Sequence, residues 1–197
     1  MKEANKEGLM SLTIILAGIP GSGKSTVLQE TVKLFPQLQI INYGDVMLKE
    51  ASLQNIDRDT IRKLPLPLLQ KIGIDAAKKM AAEMPLIACI DTHALVKTPF
   101  GYCPGIPEAV IRIFNPNVIG MIECSASLIY ARRKLDNTRN RDSDTIEQIE
   151  YHQQISRSFL VACAAYSSSL FIPIQNHGAP TDGAKQLAAL LQSYIPQ

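Results

Sequence analysis

Residues 12–26 run LTIILAGIPGSGKST. Leu12–Ala17 is a short apolar run that stops at a glycine, the pattern of a buried strand. Gly18-Ile-Pro-Gly-Ser-Gly-Lys24-Ser25 then satisfies G-x-x-x-x-G-K-[ST] in full. Glycines let backbone N–H groups turn inward as an anion-binding nest. The helix expected over Lys24–Leu34 adds the positive end of its dipole. Lys24 can reach the β- and γ-phosphates of ATP, and the Ser25 hydroxyl can ligate Mg²⁺. The whole segment Gly18, Ile19, Pro20, Gly21, Ser22, Gly23, Lys24, Ser25 and Thr26 is therefore the nucleotide-phosphate candidate.

Working outward, further short apolar runs recur at Leu38–Asn42, Leu86–Ile90, Val118–Glu123 and Leu170–Ile174. Helical spacing fills the intervals Tyr43–Met84 (with a break at Pro65 and Pro67 and resumption over Leu68–Ala82), Glu108–Phe114, Ser125–Leu135, Thr145–Ala165 and Thr181–Tyr194. Thr98–Pro107, with three prolines and two glycines, reads as loop, and so does polar Asp136–Asp144. Strands that alternate with helices and read as continuous apolar runs predict an α/β fold. It is a P-loop core with a five-stranded parallel sheet flanked by helices. In such sheets ligands bind beyond the carboxyl ends of the strands. Asp91, at the end of the third run, stands where a second acidic Mg²⁺ partner is expected. His93 is either a phosphate contact or a structural hydrogen-bonding residue.

The 197 residues suit one domain, read as 11–197 behind residues 1–10, which are either a frayed polar tail or a stretch ahead of an alternative start at Met10. No apolar run approaches the ~20 residues of a membrane span, and no signal peptide is visible, so a cytoplasmic protein is expected. The net charge of +2 does not announce a nucleic-acid partner. The four cysteines form no CxxC pair, which favours neither zinc nor a disulfide framework.

Charge is nonetheless uneven. Arg132, Arg133, Lys134, Arg139 and Arg141 fall within ten residues. A kinase must neutralise two anionic substrates and exclude water, and bidentate guanidinium groups on a mobile lid do this. Arg139 and Arg141 in Asn137–Asp142 fit such a lid. Arg157, on the next long helix, either completes the clamp or forms a structural salt bridge. Of Arg132 and Arg133, either can point inward while the other is solvated.

GIPGSGKST (18–26), NYGDVM (42–47), IRKL (61–64), DTHALVKTPFGYCPGIP (91–107), TRNRD (138–142) and YHQQISR (151–157) occur in one order along the chain. With these segments the chain resembles the archaeal adenylate kinases from first strand to last helix. The resemblance implies Mg²⁺-dependent phosphoryl transfer from ATP to AMP giving two ADP. It also implies an AMP-binding subdomain within 43–84, a lid at 136–144, and in some members a homotrimer. Lys24, Arg139 and Arg141 would then stabilise the transferring group, Arg62 would hold the AMP phosphate, and Lys97 would face the AMP side. The competing readings are another nucleoside monophosphate kinase acting on CMP or UMP, and a nucleotide-gated RNA or ribosome assembly factor.

Overall fold

The computed structural model describes residues 11–53, 55–56, 58–61, 64–98, 100–135 and 144–194. β1 (Leu12–Ala17) leads through the glycine loop into α1 (Lys24–Leu34), followed by β2 (Gln39–Asn42), α2 (Tyr43–Ser52), α3 (Arg58–Ile61) and α4 (Leu66–Ala82). Next come β3 (Ile87–Thr92), β4 (Leu95–Thr98), β5 (Gly101–Pro104), α5 (Glu108–Phe114) and β6 (Val118–Glu123). The chain continues through α6 (Ala126–Leu135), α7 (Ile146–Ser167), β7 (Leu170–Gln175) and α8 (Pro180–Ser193).

The main sheet has the order β2-β3-β1-β6-β7 and its pairings are all parallel. β1 lies at its centre, and every one of its six residues is buried. Side chains alternate across a strand, so β1 feeds two cores. Ile15 and Ala17 face the side covered by α4, α5 and α7, among Ala76, Met80, Phe114 and Leu160. Leu12, Ile14 and Leu16 face α1 and α8, among Val27, Leu28, Leu187 and Leu191. The edge strands β2 and β7 are largely exposed by comparison. Because the chain crosses from β1 to β2, returns to β3 and only later reaches β6, the order reverses beside β1. That switch point is where the glycine loop emerges.

Two expectations need correction. Thr98–Pro107 is not all loop, because β4 and β5 pair antiparallel in the register Leu95↔Pro104 to Thr98↔Gly101. The turn residues that suggested loop are the hairpin's own: Gly101 sits at φ 141°, a value open to glycine, and Pro104 closes the ladder of a two-stranded edge. An isolated hairpin is marginal, and this one rests on α7. The Tyr102 ring lies 4.8 Å from that of His152, and His152 Nε2 donates to Leu95 O at 3.2 Å. The second correction is the start of α4, which begins at Leu66 rather than after Pro67. Proline is tolerated in a first helical turn, where its missing N–H has no partner to lose.

Caps fix the elements nearest the site. Asn42 Oδ1 accepts from Asp45 N at 3.0 Å at the start of α2. Thr145 and Gln148 form a reciprocal capping box on α7, at 3.3 and 3.0 Å. Ser125 Oγ accepts from Leu128 N at 3.4 Å, the serine cap expected for α6.

Candidate active site

The glycine loop crosses the carboxyl end of β1 with Gly21 and Gly23 at φ 90° and 87°. A side chain at Gly23 is excluded twice over: its backbone is left-handed, and a Cβ there would lie 2.4 Å from Asn176 Nδ2. Lys24 opens α1 and forms an ion pair with Asp91 Oδ1, both side chains about 10% exposed. Asn42 Nδ2 donates to the other carboxylate oxygen of Asp91 at 2.9 Å. The register explains the meeting, since Asp91 pairs with Leu16 of β1 and with Asn42 of β2. Ser25 and Thr26 follow in the first turn of α1 and are exposed. Hydroxyl and carboxylate oxygens are the donors that suit Mg²⁺, which binds through one or two protein groups plus substrate phosphates. Ser25 and Asp91 therefore fit that ion.

Burial lowers the Lys24 ammonium to about 8, with the neighbouring Cys89 thiol acting in the opposite direction. The charged form is the one that attracts phosphate. On the expectation that Lys24 meets the phosphates of ATP, ATP affinity is predicted to fall as pH rises through about 8, by up to about tenfold per pH unit, with proton uptake on binding in that range. Calorimetry in buffers of different ionisation enthalpy measures this; affinity that is flat between about pH 7 and about pH 9 contradicts it.

A second charged group sits beside the first. Asp144, just ahead of α7, accepts from Lys97 of β4 and from Arg133 Nη1 of α6, the latter at 2.9 Å. Burial works to raise the Asp144 carboxyl, but hydrogen bonds from Lys97 and Arg133 outweigh it and hold it below its usual value. Arg133 Nε also donates to Pro20 O at 2.8 Å. Arg132 Nη1 donates to Ser22 O at 3.2 Å. Both arginines therefore turn toward the glycine loop, where the sequence left one of them to solvent. His93 Nδ1 donates to Gly18 O at 3.0 Å, the hydrogen-bonding role among its two readings.

Arg157 is engaged elsewhere. It pairs with Glu123 Oε2 at the carboxyl end of β6, and Gln175 Nε2 donates to the same oxygen at 3.1 Å. The cavity of about 400 Å³ beside this pair is lined by Ser125, Gln153 and His177 among others, and by no glycine-loop residue. Arg62, Arg139 and Arg141 lie outside the described residues, as do 1–10 and all of the expected lid but Asp144. The sequence reading passed over Asn42, Asp144 and Asn176. Asn42 opens the quoted NYGDVM segment and carried a helix-cap signal. An isolated asparagine before His177-Gly178 carried none beyond a turn.

A parallel sheet with a lysine-bearing glycine loop at its switch point, and a carboxylate on the neighbouring strand, defines a P-loop nucleotide-binding protein of the kinase type. The fold agrees with two solved structures. A shikimate kinase from Acinetobacter baumannii has TM-score 0.58 and 13% identity, covering 95% of this chain and 96% of that one. A shikimate kinase from Bacteroides thetaiotaomicron has TM-score 0.59 and 10% identity, covering 92% and 98%. A family model described as an AAA domain matches residues 17–150. Adenylate kinase from Pyrococcus furiosus is 43% identical over 177 residues, 85% of this chain and 88% of that protein. Those from Methanothermobacter thermautotrophicus and Thermoplasma acidophilum are each 38% identical, covering 87% and 86% of this chain and 94% and 92% of theirs. The chain belongs to the adenylate kinase family.

Proposed function

We propose that the protein transfers the γ-phosphoryl group of ATP to AMP, reversibly, giving two ADP. The observation that carries this reading is the Lys24–Asp91 pair at the mouth of the glycine loop, in a chain so similar to adenylate kinases along most of its length. Residues 18–26 bind the ATP phosphates through inward N–H groups and Lys24. Lys97, on the β4–β5 hairpin, and Arg62 take the AMP phosphate, with the AMP-binding subdomain drawn from 43–84. Arg139 and Arg141, in the lid 136–144, neutralise charge on the transferring group, and Arg157 serves as a further cation of the clamp once freed from Glu123. Ser25, and Asp91 in part through water, would hold Mg²⁺, whose charge would offset that of the phosphates.

The acceptor is itself an anionic phosphate, so no nucleophilic side chain and no strong base is required. Catalysis then rests on positioning and charge neutralisation. The name shared by the relatives favours AMP over CMP or UMP as acceptor, and favours an enzyme over a nucleotide-gated assembly factor. Among the described residues no helix is long and apolar enough to cross a membrane.

Purified protein is incubated with ATP and Mg²⁺ plus AMP, CMP, UMP, GMP or no acceptor, and ADP is quantified. ADP formation that depends on AMP is the expected result. Preference for CMP or UMP moves the assignment to another monophosphate kinase, and slow hydrolysis without an acceptor overturns transfer altogether.

A further inference from the structure

Three alternate carbonyls of the glycine loop are tied from outside by side chains. Gly18 O accepts from His93, Pro20 O from Arg133, and Ser22 O from both Arg132 and Asn176. The shortest of these ties comes from Asn176. Its Nδ2 lies 2.7 Å from Ser22 O, and the residue has no exposed surface. Only the amide nitrogen can donate to a carbonyl, so the orientation of the side chain is settled by its partner. Its Oδ1 is buried with no hydrogen bond among the described residues. Asn176 is itself fixed, because its backbone N–H donates to Glu123 O at 2.7 Å where β7 leaves the sheet.

Peptide geometry gives this tie a consequence. In a planar trans peptide the C=O of one residue and the N–H of the next point in opposite directions, and no described peptide in the chain is cis. Holding Ser22 O outward therefore turns the Gly23 N–H the other way. Gly23 is also the N-cap of α1, and no side chain caps that end of the helix. Its N–H thus belongs to the group of donors that an anion at this helix terminus would collect.

We propose that Asn176 is a positioning residue of the phosphate loop, holding the Ser22–Gly23 peptide with its N–H presented to the ATP phosphates. It touches no substrate and acts through Ser22. This inference rests on the assignment of residues 18–26 as the ATP phosphate loop. Failure of that assignment is visible separately, as an unsubstituted protein that does not bind ATP.

Asn176→Ala removes the donor, and Asn176→Asp replaces it with an oxygen that repels Ser22 O and adds negative charge beneath the loop. Titration of each variant with ATP and with AMP, together with steady-state kinetics, reads the effect. Outer partners that orient metal ligands are typically worth roughly 10–100-fold, and an effect of the same order is expected for a partner that orients a phosphate-binding peptide. The expected result is a loss of that size in ATP affinity, larger for Asn176→Asp, with AMP affinity unchanged. ATP affinity left intact, or equal losses for both nucleotides, overturns the proposal.

A measurement on the unsubstituted protein stands whether or not the variants fold. NMR should show a coupling across the hydrogen bond from the Asn176 side-chain amide to the Ser22 carbonyl, and a shift of the Gly23 amide when ATP binds. Absence of the coupling, or a Gly23 amide indifferent to ATP, also overturns it.

Discussion

Lys24→Ala lowers kcat/KM for the transfer reaction about 10³-fold or more while the protein stays folded. Two losses combine in this substitution. The ammonium proposed to meet the transferring phosphoryl group disappears, and preorganised charge of this kind is the main resource of a phosphoryl-transfer site. The Asp91 carboxylate, about 10% exposed and paired with Lys24, is left, among the described residues, with only the Asn42 amide, and would repel an incoming phosphate. A factor of 10³ corresponds to about 4 kcal/mol of transition-state stabilisation.

The double variant Lys24→Ala/Asp91→Asn separates the two losses. Removing the orphaned negative charge restores ATP affinity in part but not kcat, because the group that acts in the transition state is still missing. Circular dichroism checks the fold, and steady-state kinetics with ATP and AMP varied in turn check the rest. Turnover close to that of the parent protein in Lys24→Ala removes Lys24 from the chemistry.

Arg139→Ala and Arg141→Ala form the second large effect, each expected to lower kcat by about 10³-fold with smaller changes in KM. A cation placed against the transferring group is worth roughly 10³–10⁵ in comparable enzymes. The described structure supports this through the ends of the segment that carries them. On one side α6 ends at Leu135, two residues beyond Arg133, which is bound to Pro20 O. On the other side Asp144 is held by that same arginine and by Lys97. The described residues that flank 136–143 are thus tied, through Arg133, to the glycine loop. Single-turnover measurements separate a slow chemical step from slow product release. If both variants keep near-normal turnover, the lid assignment is wrong.

These two predictions were legible in the sequence to different depths. Leu12–Thr26 announced a strand, an anion-binding loop and a helix because each rests on local chemistry: an apolar run, glycines where backbone must turn, and a helix entered at Lys24. Glu108–Phe114 and Val118–Glu123 were bounded by the same kind of signal, and the structure reproduces those bounds. The hairpin at Leu95–Thr98 and Gly101–Pro104 was hidden because its glycine and prolines also suit an irregular loop. What makes it a hairpin is the packing of Tyr102 on His152, fifty positions further along the chain. The arginines of the 132–141 cluster were visible as charge, yet their division of labour was not. Arg132 and Arg133 are adjacent in sequence and both reach the glycine loop more than a hundred positions away.

By itself, then, the sequence determined the strand–loop–helix proposed to receive phosphate, the parallel α/β architecture, and Lys24 and Asp91 as the charged groups at its mouth. Those follow from contiguous patterns, in which neighbours along the chain create the physical condition. Only the tertiary structure decided that Asp144 joins Lys97 to Arg133, that Arg157 pairs with Glu123, and that Asn176 supports Ser22 across 154 positions. Each is a hydrogen bond or ion pair made by a single side chain, which no periodicity marks. They form where the parallel sheet brings the carboxyl ends of β1, β3, β6 and β7 together at one edge.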